Sequence, residues 1–101
     1  MKAARLAFHP DAADEYIDAA RWYRERSLTV YDSFVAEMER AFRLIVAFPT
    51  RWPRYGPRHR RVFVRRFPYS VVYLQRRGRL WIVAVAHAKR KPFYWKKRTV
   101  R

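Results

Sequence analysis

At 101 residues the chain is long enough for one hydrophobic core and too short for a second, so a single domain over residues 1–101 is expected. Half of its residues are apolar and none is cysteine, which excludes a disordered basic tail, disulfide staples, thiolate nucleophiles and Cys-ligated metals. The formal net charge of +16 is placed unevenly: residues 1–39 hold five Lys/Arg and all eight acids, whereas residues 40–101 hold nineteen Lys/Arg and no acid.

Cationic charge of that density repels itself and attracts polyanions, so nucleic acid or an acidic protein is the expected company. The longest apolar run, Leu80 to Ala86, falls far short of the roughly 20 residues that span a membrane. The N-terminus carries charges where a signal peptide needs an apolar region. A cytoplasmic protein without membrane contact is the expectation.

In chain order, Lys2 to Phe8 alternates weakly and reads as a first strand. Pro10 then stands where helices commonly begin, and Asp11, Asp14 and Glu15 suit the positive end of a helix dipole. Ala13, Tyr16, Ile17, Ala20 and Tyr23 recur at helical spacing, which predicts a helix from Pro10 to Arg26. Ser27 or Thr29 caps a second helix. Along it Tyr31, Phe34, Val35, Met38, Phe42, Ile45 and Val46 form an apolar stripe that stops before Phe48-Pro49. Two such helices with a short connection make an antiparallel hairpin.

"PTRWPRYGPRHRR", Pro49 to Arg61, is rich in proline and reads as an irregular connection. "VFVRRF", then "YSVVYLQ", a turn around Gly78 and "LWIVAVAH" read as three strands, the last two a hairpin. Leu80 to Ala86 is apolar on both faces, as a central strand is. The expected class is α+β in the order β-α-α-β-β-β, with the helical hairpin on one face of a mainly antiparallel sheet and a short basic C-terminal tail.

Candidate site residues cluster late in the chain. His87 ends the central strand, and imidazole exchanges protons near neutral pH. His9 and His59 read as structural or solvated. Arg65 and Arg66, placed mid-strand, would point to opposite faces, one toward a phosphate groove and the other toward the acidic edges of the helices. Lys89, Arg90 and Lys91 precede Phe93, Tyr94 and Trp95; cations for phosphates and rings for bases are the ingredients of single-strand binding. Docking of Phe93 and Trp95 onto the sheet is the structural alternative. Tyr94, a phenol among cations, is expected to have a depressed pKa suited to proton transfer. With no Gly-rich phosphate loop and no acid in the cationic half, neither a metal nor a cofactor is expected, and phosphodiester chemistry would run through the ribose 2′-hydroxyl of RNA.

The element order, "RRFPYSVVY" from Arg65 to Tyr73, and "IVAVAH" running into "HAKRKPFYW" together resemble the RelE/ParE superfamily of bacterial type II toxins over essentially the whole chain. The resemblance implies a toxin restrained by a cognate acidic antitoxin. Members similar to RelE enter the ribosome and cleave mRNA without a metal, using Arg, Lys, His or Tyr side chains at the positions of Arg65, Arg66, His87, Lys89, Arg90 and Tyr94. Some such nucleases use a Glu as base at the end of the second helix or just after it, and "AFPTRWPRYG" here has none. Members similar to ParE share the fold, poison DNA gyrase and cut no RNA. The leading expectation is a ribosome-dependent mRNA endonuclease with His87, Tyr94, Arg65 and Arg66 at the reacting phosphate and Arg61, Lys89, Arg90 and Lys91 binding RNA. A DNA gyrase inhibitor without nuclease activity is the alternative.

Overall fold

The computed structural model describes residues 6–101. Its elements are β1 (Leu6–Phe8), α1 (Pro10–Arg26), α2 (Leu28–Ala47), β2 (Arg60–Phe63), β3 (Tyr69–Arg76) and β4 (Arg79–His87). The strand predicted from Lys2 is thus seen from Leu6, and Lys2 to Arg5 lie outside the described residues.

Local chemistry sets the helix ends. His9 caps α1, its Nδ1 accepting from the backbone N–H of Asp11 at 3.0 Å. Ser27 is the single residue between the helices: its backbone N–H donates to the Tyr23 carbonyl, while its Oγ accepts from the Val30 N–H. One extended residue thereby closes α1 and opens α2, which forces the tight reversal. The α2 stripe of Phe34, Met38, Ala41, Phe42 and Ile45 is buried against Val62, Val71, Tyr73, Ile82 and Val85 of the sheet.

The sheet order is β1-β4-β3-β2. β1 pairs parallel with β4, and the other pairs are antiparallel. β4 is therefore central along residues 80–82, and its later half extends past the end of β1. Between β3 and β4 the loop is Arg77-Gly78, both at positive φ, the two-residue geometry that matches strand twist. The register slips between Val72 and Tyr73, leaving Val83 without a partner opposite, as a bulge does.

One expectation is corrected here. Arg65 and Arg66 lie in the turn between β2 and β3, because β2 ends at Phe63. Pro68 has no N–H for a ladder and restricts the residue before it, so the chain turns early. The Val64 N–H donates to the Tyr69 carbonyl, and Arg66 takes a left-handed φ of 72°. Residues 65 and 66 thus do not alternate across a sheet.

The sheet face away from the helices is covered too. Trp95, 2% exposed, sits on Val72, Val83 and Ala84, with Tyr55, Leu74, Ala86, Tyr94 and Val100 around it. The tail follows as successive tight turns, with N–H groups of Tyr94, Lys96 and Arg98 donating three residues back. The tail is a strap across a second, smaller core. Trp95→Ala is expected to cost about 3–5 kcal/mol by chemical denaturation, whereas Phe63→Ala, at a site 67% exposed, should stay within about 0.5 kcal/mol.

Candidate functional site

His87 stands at the end of β4, register-paired with Tyr69, whose ring meets the imidazole edge-on at 5.0 Å between centroids. Its Nδ1 accepts from the backbone N–H of Lys89 at 3.0 Å. In the neutral ring that bond places the proton on Nε2, so the imidazole offers a donor rather than a free base nitrogen. Beyond it the Arg90 N–H donates to the His87 carbonyl and the Ala88 N–H to the Pro68 carbonyl, which pins the start of the strap beside the β2–β3 turn.

A concavity of about 360 Å³ opens between β2 and the strap. The paired residues Ser70 and Ala86 lie at its base, too small to fill it. Arg61 borders it on one side and His87, Arg90, Lys91 and Tyr94 on the other, with no carboxylate among its lining residues. A second hollow, of about 560 Å³, lies toward α1, lined by Glu15, Trp22, Tyr69, His87 and Arg90. His87 and Arg90 form the ridge between the two.

Behind the ridge, one carboxylate organises the strap. Glu15 of α1 accepts at Oε1 from the Val85 backbone N–H and from Arg98, both at 3.0 Å. Its Oε2 accepts from the Tyr94 hydroxyl and from Arg98, both at 2.8 Å. Arg90 lies 3.8 Å away, and Asp11 adds a contact of 3.7 Å to Arg98. Arg98 also donates to the Val83 carbonyl at 3.0 Å. Together Glu15 and Arg98 satisfy the Val85 N–H and the Val83 carbonyl of β4, which lie beyond the end of β1, as buried polar groups require.

These contacts reverse the expectation for Tyr94. Burial pushes its phenol up from the ordinary value, and the hydrogen bond and charge of Glu15 push the same way; Arg98 and Arg90 oppose them and lose. The phenol keeps its proton. Glu15, in turn, holds Arg98 firmly protonated.

Of the other candidates, Arg61, Arg90 and Lys91 share the concavity with His87 and Tyr94. Lys89 does not line it. Arg65 pairs with Glu37 of α2 at 3.2 Å, the helix-edge partner expected for one of the two arginines, and neither Arg65 nor Arg66 borders the concavity. Trp95 is buried and Tyr94 is engaged, so the three-ring run offers no continuous stacking surface. His59 packs against Trp95 at 4.5 Å between centroids; burial, and then Arg58, push its pKa down. Glu15 reads in sequence only as an acid of the first helical turns, because Tyr94 and Arg98, its partners in the strap, lie 79 and 83 residues away. Tyr55 and Phe63 escaped it because a proline-rich loop and a short edge strand carry no periodic signal.

Residues 6–92 match the family model described as the ParE toxin of the type II toxin-antitoxin system, parDE. No curated protein matches the chain. Among the described residues no helix is long and apolar enough to cross a membrane.

Two outcomes test this network. Glu15→Ala leaves the Val85 N–H and the Tyr94 hydroxyl without their acceptor and takes from Arg98 its main counter-charge, and should lose about 3 kcal/mol or more in denaturant unfolding. For Tyr94, the folded protein retains a proton that the unfolded chain releases near its ordinary value of 10.0. That contribution is whole below pH about 10 and fades as pH rises further. Tyr94→Phe should therefore be less stable at neutral pH and show a shallower alkaline decline. Tyr16 and Tyr73, both pushed up to about 12, keep part of that decline in the variant.

Proposed function

Since the chain belongs to the ParE toxin family of type II toxin-antitoxin systems, matched over residues 6–92, we propose that it poisons by binding DNA gyrase and cleaves no RNA. Family membership makes it the toxin of a toxin–antitoxin pair and implies an antitoxin partner. The gyrase target is the step taken beyond membership.

The observation that carries it is the Tyr94 hydroxyl bound 2.8 Å from Glu15 Oε2. Cleavage through a 2′-hydroxyl needs one group to take a proton and another to give one. A phenol pushed above its ordinary pKa and tied to a carboxylate is a poor base at neutral pH and releases its proton reluctantly. The Nδ1 of His87 is occupied by a backbone N–H, and Arg65 is committed to Glu37. What the concavity retains is charge and shape, which suffice for binding.

A second reading, cleavage of mRNA on the ribosome, is favoured by the convergence of His87 with Arg61, Arg90 and Lys91 on one concavity. There His87 would be the one proton carrier and the three cations would stabilise the phosphorane. The two readings part experimentally. Purified protein added to gyrase should abolish supercoiling and raise DNA breaks, and expression in cells should induce the SOS response while mRNA ends stay unchanged. His87→Ala should keep its toxicity within about twofold. Under the second reading new mRNA ends appear in translating extracts, supercoiling is untouched, and His87→Ala loses about 10² or more in cleavage.

A further inference from the structure

The outer face of the sheet carries aromatic rings packed around Arg61, and neither target reading uses those rings. Phe93 stacks on Tyr55 at 4.7 Å between centroids and 23° between planes. The Arg61 guanidinium lies 3.6 Å from the Tyr55 ring centre and 4.6 Å from that of Phe63. Strap, connecting loop and β2 therefore supply one ladder, Phe93, Tyr55, Arg61 and Phe63. Its outer rung, Phe63, is 67% exposed, with no further ring stacked beyond it among the described residues.

The backbone is shaped to hold this ladder. Phe93 has a left-handed φ of 60°, uncommon for any residue but glycine and costly for a bulky one, and such strain persists only where the surroundings impose it. Gly56 has a φ of 101°, and a Cβ there would sit 3.6 Å from the Phe93 ring. The ladder borders the concavity that His87, Arg90 and Lys91 enclose from the other side.

We infer that this concavity binds an unpaired nucleotide, the base stacking at the Phe63 end of the ladder and the phosphate lying toward Arg90 and Lys91. A flat exposed ring backed by a guanidinium suits the face of any nucleobase, and stacking of that kind is largely indifferent to sequence. Arg61, held between rings, keeps its charge uncompensated by any carboxylate among the lining residues. A concavity of about 360 Å³ is at the small end of ligand sites and admits one base, whereas a duplex hides its base faces. The site stands apart from the gyrase reading, because a strand can be held without being cut.

The test uses the whole chain and labelled oligonucleotides in anisotropy titrations. The probes are an oligothymidine, an oligouridine, an abasic deoxyribose-phosphate strand of equal length, and a duplex. With a protein of charge +16 every polyanion binds to some degree, so the abasic strand sets the electrostatic baseline. Oligothymidine should bind about tenfold or more tightly than the abasic strand, and more tightly than the duplex. Phe63→Ala and Phe63→Leu should each remove most of that margin and leave the salt dependence as it was; Lys91→Ala should instead flatten the salt dependence on all probes. Oligouridine should match oligothymidine, since base and phosphate are all that the site reads. Equal binding of thymidine and abasic strands, or a Phe63→Leu protein that is folded by circular dichroism and keeps the full margin, overturns the inference. Neither result bears on gyrase supercoiling, so each proposal fails by its own assay.

Discussion

The carboxylate of Glu15 is the point on which the C-terminal third of this fold turns. Because β1 ends at Phe8, opposite Ile82, the second half of β4 has no neighbouring strand on that side, and a bare strand edge is both unsatisfied and prone to pair with another chain. Helix α1 solves the problem by lowering one side chain onto that edge, and Arg98 completes it from the strap. The same carboxylate then fixes Tyr94. Edge satisfaction, strap position and the protonation of the phenol thus share one cause.

That arrangement changes the meaning of the charge distribution. The eight acids confined to residues 11–39 look like ordinary solvated helix faces, yet Glu15, Glu37 and Asp11 reach cations of the other half. Acids of the helical hairpin dock specific segments of the cationic portion, the strap through Arg98 and the β2–β3 turn through Arg65. The cations left uncommitted around the concavity, Arg61 and Lys91 among them, are those free to meet an external anion. Ion pairing inside the fold thereby selects which part of a very basic surface is available.

Most of the architecture was legible because it is written in local patterns. The α2 stripe, Pro10 at the start of α1, Ser27 between the helices and the apolar β4 each state their element within a few residues, and each stands where periodicity and capping put it. The β2 boundary was misplaced because Val62 to Phe67 has strand composition up to the residue where Pro68 forces a turn. The site was legible in part: His87, Arg90 and Lys91 are neighbours in sequence and remain neighbours in space. The state of Tyr94 was not, since adjacent lysines and arginines argued for a lowered pKa while the deciding groups, burial and Glu15, come from the far end of the chain. Long-range hydrogen bonds of this sort leave no periodic trace.

The residues that match the toxin family stop at Pro92, whereas three anchors of the strap, Tyr94, Trp95 and Arg98, come after it. A version of the protein trimmed to the shared region would uncover Val72 and Ala84, strand the Val83 carbonyl, and leave Glu15 with only the looser contact of Arg90 at 3.8 Å in place of Arg98. The end of the family match and the end of the folded unit therefore differ here by several turns of chain, and expression designs that end at the former would be expected to yield insoluble material.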